Sequence, residues 1–447
     1  MLPLSLGHRP GDAFARNSNA TVSLAEWLGD VHALAVKLPA VGHVLNLCES
    51  SYAFSVAFAA ALVRRQTNLL PASRTPDLLA RLAARYPDCV AVVDHEDAQQ
   101  AFPAVIANWP ASPRTTPIEQ VPMIPAQHVA ALAFTSGSTG DPMPHAKTWG
   151  SLVRGARSEA KALCMTRIER ATLVGTVPQQ HMYGLESTLM LAWQNGHAVY
   201  GARPFYPGDI ADALARVPGS RVLVTTPLHL RALIDSDTDL PELALLVCAT
   251  APLDTDLARD VEARYGVTVR EIYGCTETGQ IAARRTVDGP EWTLMEGIGL
   301  TCERDLFYAR GGHVETSVPL ADDLALRDDG RFELLGRKAD VINIAGKRSS
   351  LAHLTAHLLA VPGVVDAAVL MPPERAGGTA RVMAVVVAPS VSVTAILDAL
   401  RERIDAVFLP RPLYRVDKLP RNATGKLPRE SLLSLAAELE RGQNAPS

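Results

Sequence analysis

The stretch Thr135-Ser136-Gly137-Ser138-Thr139-Gly140 follows directly on an apolar run, Val129–Phe134, which predicts a buried strand that ends in a glycine-rich loop. Glycines let a backbone turn tightly and expose its N–H groups, and the hydroxyls add further donors, so such a loop suits a polyphosphate. Taken alone, the same string also fits a flexible Ser/Gly surface loop. The chain contains no G-x-x-x-x-G-K-[ST] motif, which excludes the P-loop kinases and NTPases.

On the C-terminal side of this loop, short β-rich runs alternate with helical patterns. Apolar residues at i, i+4 and i+8 predict a helix over Asp254–Tyr265, with Asp254 or Thr255 as its N-cap. Strand–helix alternation of this kind indicates parallel sheets covered by helices. The predicted strands are Thr172–Val177, Arg221–Thr225, Leu243–Cys248 and Val267–Ile272.

The pattern changes twice toward the C-terminus. Residues 291–335 show short alternating strands with turns, which predicts a β-rich subdomain. After Gly336-Arg337 a second α/β pattern begins, with helices over Leu351–Ala360 and Val393–Phe408 and strands near Val365–Met371 and Val382–Val387. We therefore predict an α/β protein in two domains. A large N-terminal body of helix-covered sheets plus the β-rich subdomain spans residues 1–337, and a small mobile α+β lid domain spans residues 338–447.

The composition is that of a globular protein. The chain has 447 residues, 48% of them hydrophobic and 20% charged. A net charge of −4, with no run of five like charges, argues against nucleic-acid binding. Six scattered cysteines without a C-x-x-C pair fit reduced thiols better than disulfides or a zinc site. The most apolar stretch, Val56–Val63, is under half of the roughly 20 residues that span a membrane, so we expect a cytoplasmic protein.

Three further segments follow the glycine-rich loop. Tyr273-Gly274-Cys275-Thr276-Glu277 stands at the end of a predicted strand, where open α/β sheets bind ligands. Gly336-Arg337-Lys338-Ala339-Asp340 stands at the predicted domain boundary, and Leu419-Pro420-Arg421-Asn422-Ala423-Thr424-Gly425-Lys426 lies near the C-terminus. In this order and spacing the four segments resemble the adenylate-forming superfamily of acyl- and aryl-CoA synthetases, peptide-synthetase adenylation domains and luciferases. The resemblance covers about residues 130–430.

The resemblance implies a reaction in two halves. A carboxylate attacks the α-phosphate of ATP and expels pyrophosphate, and a thiol then attacks the resulting acyl-adenylate. Because negative charge gathers in the first transition state, the site needs Mg²⁺, hydrogen-bond donors and a cation. The implied cofactors are ATP and Mg²⁺.

The resemblance also assigns residues to roles. The expected catalytic residues are Lys426, which bridges the carboxylate and the α-phosphate, Glu277 as the magnesium ligand, Thr276 on the α-phosphate and His181 as the gate for the thiol. The residues expected at the nucleotide are Thr135, Ser136, Gly137, Ser138, Thr139, Gly140, Thr250, Ala251, Tyr273, Asp323 and Arg337. The residues expected at the acid are His181, Tyr183, Ala249, Gly274, Cys275 and Gly279.

Several of these assignments have alternatives. Asp322 competes with Asp323 for the ribose, because the usual Thr-Gly before that aspartate is absent. Small residues such as Gly274 and Gly279 either leave room for a flat ring or permit close backbone packing. The family's loop lysine is replaced by Met143, so that either Lys147 supplies a displaced charge toward the pyrophosphate or backbone donors act alone.

The C-terminal lid is expected to turn between the two half-reactions. One orientation delivers Lys426 to the phosphate, and we hypothesise that Lys347-Arg348 belong to the face used for the thiol. The hinge aspartate of the family is replaced by Ala339, with Asp340 matching the acidic residue that often follows, so the hinge is expected to work differently.

The short N-terminus, the extended stretch from Thr135 to Trp149 and the compact length resemble stand-alone ligases of aryl-polyene (xanthomonadin-type) pigment pathways. That likeness implies a hydroxybenzoate-type acid loaded onto an acyl carrier protein. Because the chain ends at Ser447 without a carrier domain, a separate carrier protein or free coenzyme A is expected as the acceptor. The alternatives are an acyl- or aryl-CoA synthetase and a catalytically silent nucleotide- or acyl-binding regulator, and no feature favours a luciferase.

Overall fold

The computed structural model describes residues 1–17, 20–71, 74–95, 102–107, 116–136, 142–337, 341–344, 347–372, 381–422 and 425–443. The chain divides into two units. The first comprises Met1–Thr301 and Tyr308–Val318, and the second comprises Cys302–Phe307 and Pro319–Ser447. No helix among these residues combines the length and the apolar character that crossing a membrane requires.

The main sheet of the first unit is largely parallel. Its central strands, from Thr172 to Cys248, are buried along almost their whole length, as expected where helices cover both faces. The order of the strands is Glu291–Leu294, Gly279–Arg284, Val269–Cys275, Leu245–Cys248, Arg221–Thr225, Thr172–Gly175, Ala198–Tyr200, Ala13–Arg16 and Thr21–Ser23. The predicted parallel sheet with covering helices is therefore confirmed.

Helices on one face of this sheet bury an apolar stripe against it. Ile210, Leu230 and Leu257, one from each helix, pack with Leu223 and Leu246 of the strands. Hydrophobic burial of this kind, more than helix propensity, holds such helices in place. The helices are Pro207–Ala215, Pro227–Asp235 and Thr255–Tyr265.

A second parallel sheet carries the strand that leads into the glycine-rich loop. Strand Val129–Ser136 pairs with Thr67–Leu70 in parallel and with Pro142–Thr148 antiparallel. The order is Pro142–Thr148, Val129–Ser136, Thr67–Leu70, His43–Asn46, Cys89–Val93 and Ala104–Ile106, and the helices of this region are Leu24–Lys37, Ser51–Val63 and Pro76–Arg85.

The remaining elements of the first unit surround these sheets. Helix Trp149–Ala162 follows the second sheet, and a continuous helical segment is formed by Met182–Gly184, a π-helical stretch Leu185–Met190, and Leu191–Trp193. Short elements are the strands Leu2–Pro3 and Met123–Ile124 and the 3₁₀ turns Met165–Arg167 and Thr286–Asp288. The chain passes between the two units within the strands Ile298–Glu303, Leu306–Gly311 and Val314–Pro319.

The second unit is a small α+β structure with its own core. Alternate residues of strand Asp366–Leu370 pack into different clusters, Ala367 and Val369 on one face and Ala368 and Leu370 on the other. Its strands are Asp322–Leu326, Phe332–Arg337, Val341–Ile344, Lys347–Ser350, Asp366–Leu370, Met383–Val387 and Leu413–Arg415, and its helices are Leu351–Leu359, Val393–Arg401 and Arg429–Gln443. The large N-terminal part and the small C-terminal part match the predicted fold class.

Several predicted boundaries shift by one or two residues, and two elements end more than two residues from the predicted position. The helix predicted over Val393–Phe408 ends at Arg401, because the Asp405 side chain accepts the Val407 N–H and starts a separate 3₁₀ turn, Ala406–Phe408. The strand predicted to end at Ile272 runs on to Cys275, since the chain turns back at once and pairs with Gly279–Arg284 as an antiparallel hairpin. We term Val269–Cys275 and Gly279–Arg284, with the turn Thr276–Thr278, the signature hairpin.

Candidate active site

Parallel strands of the main sheet end on one edge, where the segments after them gather. Tyr183 marks this edge, because its buried hydroxyl lies 3.1 Å from the Thr225 carbonyl oxygen and 3.0 Å from the Val247 carbonyl oxygen. Burial raises the pKa of the Tyr183 phenol well above its usual value, so it stays protonated. His181 stands half-buried at the N-cap of the helical segment that carries Tyr183. Tyr183, one of the residues predicted for the acid, therefore lies where strands Arg221–Thr225 and Leu245–Cys248 end.

The segment after strand Leu245–Cys248 has a strained backbone. Thr250 adopts a φ of +83°, a left-handed conformation that is unfavourable for a β-branched residue. Such conformations cost on the order of 1–3 kcal/mol and persist at functional sites when the surroundings enforce them. One neighbour that does so is Glu271, whose buried carboxylate accepts the Leu253 N–H at 2.9 Å and binds Arg284 at 2.7 Å. This segment is thereby held beside the signature hairpin.

The turn of the signature hairpin is closed by its own side chains. The Cys275 N–H donates to Thr278 Oγ1 at 3.2 Å, and the Thr278 hydroxyl donates to the Gly279 carbonyl at 2.7 Å. This geometry leaves Glu277 exposed and Thr276 half-buried. Burial raises the pKa of the Cys275 thiol, which favours its neutral form.

Glycine is required at both Gly274 and Gly279 on steric grounds. A Cβ at Gly274 would lie 2.1 Å from the Gly279 carbonyl oxygen. A Cβ at Gly279, whose φ is +73°, would lie 2.5 Å from Glu186 Oε1. The backbone at Gly274 therefore packs closely against main-chain atoms, and the backbone at Gly279 packs closely against the Glu186 side chain. The part of both glycines in an acid pocket stays a prediction.

The turn lies beside the strand that leaves the glycine-rich loop. His145, on strand Pro142–Thr148, places Nε2 3.5 Å from Glu277 Oε1. In the same strand, Lys147 is only 6% exposed and its Nζ donates to the Glu277 carbonyl oxygen at 2.8 Å. Burial lowers the pKa of Lys147, while nearby acidic groups, Glu186 foremost, act to raise it. The lysine considered as a substitute at the pyrophosphate thus contacts the main chain of Glu277.

The chemistry of Glu277 fits a magnesium ligand. Mg²⁺ is usually held by one or two carboxylates together with substrate phosphates. In the part of the chain that the structure describes, no three His, Cys, Asp or Glu side chains are grouped to hold a metal alone. Glu277 instead offers an exposed carboxylate next to strand Pro142–Thr148, which follows the glycine-rich loop. A magnesium ion that ATP brings with it would find one protein carboxylate here.

Behind the signature hairpin lies a cluster of buried acids that the sequence reasoning missed. Glu186, in the π-helical stretch, has its pKa raised to about 7 by burial, and Glu159 has its pKa raised to about 8. Gln280 donates to Glu159 at 3.2 Å. The sequence offered one signal for Glu186, because it places a charge inside the largely apolar run 182–193, two positions after Gly184. A π-helical stretch often marks a functional site.

The described part of the glycine-rich loop is its first two residues. Thr135 and Ser136 close strand Val129–Ser136, in register with Met143 and Pro142. The predicted phosphate residues Gly137, Ser138, Thr139 and Gly140 lie outside the described residues. The adenine candidate Tyr273 lies in the signature hairpin, with its ring centroid 5.6 Å from that of Trp292. Ala249 and Ala251 flank the strained Thr250.

The second unit carries the other predicted residues. In the hairpin of Asp322–Leu326 and Phe332–Arg337, Asp322 pairs with Arg337 and Asp323 with Gly336. Adjacent strand residues point to opposite faces, so Asp322 and Asp323 are not equivalent candidates for the ribose. Ala339 and Asp340, the residues of the predicted hinge, lie outside the described residues. Lys347 and Arg348 form the start of strand Lys347–Ser350.

Lys426 is exposed on a loop with a defined anchor. Its N–H donates to Asn422 Oδ1 at 3.0 Å, and Gly425 has a φ of +76°. Arg421 donates to the Gly425 carbonyl at 2.8 Å and to both oxygens of Asp366, at 2.8 and 2.6 Å. Such a two-point guanidinium–carboxylate contact fixes direction as well as distance. The loop that presents Lys426 is thus tied to strand Asp366–Leu370.

Comparisons with known proteins agree with this fold and these segments. The family model described as AMP-binding enzyme matches residues 34–304, and the model of the AMP-binding enzyme C-terminal domain matches residues 356–426. The chain belongs to the AMP-binding enzyme family. It is an ATP-dependent, AMP-forming ligase, and enzymes of this class use ATP with Mg²⁺.

Relatives of known activity and solved structures are similar to this chain. A 4-coumarate–CoA ligase of Halorhodospira halophila is 30% identical over 68% of this chain and 76% of the relative. A 2,3-dihydroxybenzoate-AMP ligase of Bacillus subtilis is 24% identical over 71% of this chain and 66% of the relative. The structure of O-succinylbenzoate coenzyme A synthetase from Bacillus subtilis with ATP and magnesium has a TM-score of 0.80 at 20% identity, covering 94% of this chain and 96% of that one.

Proposed function

We propose that this enzyme activates a small aryl carboxylic acid of the hydroxybenzoate type and transfers it to the phosphopantetheine thiol of a separate acyl carrier protein. The observation that carries the activation step is the contact between the signature hairpin and the strand after the glycine-rich loop, through His145 and Lys147. An aryl acid is supported by relatives named for 4-coumarate and 2,3-dihydroxybenzoate. The carrier protein is supported by the likeness of the segment 135–149 to aryl-polyene ligases.

The proposed adenylation step uses charge and donors on both sides of the α-phosphate. Bound Mg²⁺ would neutralise phosphate charge as pyrophosphate leaves. Glu277 would hold that ion, the Thr276 hydroxyl would donate to the α-phosphate, and the exposed ammonium of Lys426 would draw the acid's carboxylate to the phosphorus. Residues of the glycine-rich loop, Thr135 to Gly140, receive the outgoing phosphates.

The nucleotide and the acid have separate proposed walls. Tyr273, Thr250 and Ala251 border the adenine, and Asp323 with Arg337 binds the ribose. The acid lies against small or rigid residues that would accept a flat ring. These are His181, Tyr183, Ala249, Gly274, Cys275 and Gly279.

We further propose that residues 338–447 act as a mobile lid in the second half-reaction, with Lys347 and Arg348 on the face used for the thiol. In the thioester-forming step, the thiol sulfur attacks the acyl carbon and AMP departs with the bonding electrons. His181, at the edge of the acid wall, would shield the adenylate until the thiol enters. A cytoplasmic location fits the six free cysteines, all within the described residues.

Acid-dependent exchange of pyrophosphate into ATP tests the first part of this proposal. With a panel of benzoates, cinnamates and fatty acids, we expect hydroxybenzoates to give the fastest exchange. Preference for medium-chain fatty acids, with nothing from hydroxybenzoates, would refute the aryl assignment while leaving the adenylation chemistry intact.

Free coenzyme A is the second candidate acceptor, because the 4-coumarate relatives are CoA ligases. Thioester formation with holo carrier protein should be compared with that on coenzyme A at equal concentration. We expect the carrier protein to be loaded faster. Faster loading of coenzyme A would make the enzyme an aryl-CoA synthetase.

A further inference from the structure

Strand Pro142–Thr148 contacts Glu277 at two points. His145 approaches the carboxylate, and Lys147 donates to the main-chain oxygen of the same residue. The two side chains point the same way because residues i and i+2 of a strand share a face. The strand that leaves the glycine-rich loop is therefore in contact with both the side chain and the backbone of the proposed magnesium ligand.

The ammonium of Lys147 is buried, so it needs compensating charge. The groups that interact with it electrostatically are Glu186, Cys275, Glu277 and Glu315, and the ammonium also acts on His313. Glu186 is 6% exposed, and its Oε1 occupies the space that a side chain at Gly279 would need. Lys147 thus contacts the middle of the turn Thr276–Thr278, at Glu277, and Glu186 lies against Gly279, directly after the turn.

The buried ammonium of Lys147 is held at the Glu277 main chain and is not directed to a phosphate. Its Nζ lies 2.8 Å from the Glu277 carbonyl oxygen, a short hydrogen bond from a charged donor. Within the described residues, the turn Thr276–Thr278 makes its other hydrogen bonds inside the hairpin, through Thr278, so the Lys147 contact anchors the turn to a neighbouring strand. Catalytic groups lose much of their effect when they are displaced by about 1 Å.

We propose that Lys147 is a positioning residue, whose ammonium fixes the main chain of Glu277 so that the Glu277 carboxylate and the Thr276 hydroxyl face the metal–phosphate site. Glu186 balances its charge. The inference rests on the proposed function of Glu277 and Thr276, and it removes Lys147 from the ligands of the pyrophosphate.

The test compares Lys147→Met, the double variant Lys147→Met/Glu186→Gln, and Lys161→Met. Methionine keeps the length and suits a buried site, and the double variant leaves no unpaired buried charge. Lys161 is the matched control, since it lies on the neighbouring helix with 59% of its side chain exposed. Three quantities are measured: the Mg²⁺ concentration for half-maximal pyrophosphate exchange, the melting temperature with and without ATP and Mg²⁺, and amide hydrogen exchange over residues 273–279.

We expect both Lys147 variants to slow pyrophosphate exchange by about 10- to 100-fold, as the loss of a hydrogen bond from a charged donor predicts. The Mg²⁺ requirement should rise, the KM for the acid should change little, and amides of residues 273–279 should exchange faster even without ligand. Lys161→Met should behave as the parent.

Two outcomes would overturn the inference. One is unchanged amide exchange and Mg²⁺ requirement in Lys147→Met. The other is full recovery in the double variant, which would mean that Lys147 only balances Glu186. If Lys147→Met does not fold, the double variant decides alone. Failure of every aryl acid with the parent enzyme would refute the proposed substrate, whereas the amide exchange and the ATP-dependent melting would still report on Lys147.

Discussion

Replacing Gly274 by alanine tests the packing of the signature hairpin most directly. The new Cβ would lie 2.1 Å from the Gly279 carbonyl oxygen and 2.7 Å from Gln280 Cα. An ordinary carbon–oxygen contact is about 3.3 Å or longer, so the two strands must separate locally by roughly 1 Å. Both clashing atoms belong to the backbone, which cannot rotate away as a side chain can.

The expected cost follows from overpacking of a tight site. Such insertions destabilise proteins by about 1–3 kcal/mol, and the backbone nature of this clash places Gly274→Ala near the upper end. With an unfolding entropy of about 2 cal/mol/K per residue, a unit of this size should lose roughly 3–5 °C in Tm. Because the strands part beside Thr276 and Glu277, pyrophosphate exchange should fall more steeply than stability, by about 100-fold.

The assay is differential scanning fluorimetry combined with acid-dependent pyrophosphate exchange. Gly208→Ala is the matched control, because a Cβ there meets nothing within 4 Å, in the first turn of helix Pro207–Ala215. Alanine in a helix should raise stability slightly, by about 0.4–1 kcal/mol, without changing exchange. A Gly274→Ala enzyme with the Tm and exchange rate of the parent would show that the hairpin is looser than described and that the steric reasoning is wrong.

Three other changes address different parts of the molecule. Lys426→Ala should abolish adenylate formation yet still transfer a preformed adenylate to the thiol, and equal loss in both half-reaction assays would contradict the assignment. Asp366→Asn should weaken the anchor of Arg421 and slow adenylation about tenfold, whereas Asp398→Asn, at an exposed ion pair, serves as the unaffected control. Glu159 is ionised in the unfolded chain above pH about 4.5, but in the folded protein its pKa is about 8. The free energy of unfolding of the parent enzyme should therefore decrease as the pH rises from about 4.5 to about 8. The increase in Tm of Glu159→Gln over the parent should therefore be larger at pH 8 than at pH 5. An equal increase at both pH values would contradict the raised pKa of the buried Glu159 carboxyl.

The sequence was sufficient for the fold class and for most central strands because both rest on periodic, local patterns. Arg221–Thr225 has the predicted bounds, and the helix after Asp254 begins at the predicted cap. The hairpin at Gly279 was not foreseen, since the steric need for glycine there depends on Glu186, distant in sequence. The break after Arg401 was missed because an apolar stripe continues through it, while Asp405 restarts the chain as a 3₁₀ turn.

The candidate site shows the same division. Motif order placed Glu277, Thr276 and Tyr273 in one segment, and the structure puts that segment beside strand Pro142–Thr148. The buried acids Glu186 and Glu159 carry no motif, because a carboxylate in a helix is ordinarily a solvated residue. The one available sequence signal was the charge of Glu186 within the apolar run 182–193, and three-dimensional packing shows that both acids are buried.

In the proposed mechanism, Lys426 and Lys147 divide tasks that a single loop lysine would otherwise combine. A cation that stabilises a transition state must reach the reacting atoms, and Lys426 is exposed on a loop held by Arg421. A cation that fixes geometry must be rigid, and Lys147 is buried and bound to the Glu277 carbonyl oxygen. With Met143 at the usual loop position, the charge that neutralises phosphate would come from Mg²⁺ on Glu277 and from Lys426. Exchange by this enzyme should consequently depend more steeply on Mg²⁺ than that of a relative with lysine at the loop, and Met143→Lys should reduce that dependence.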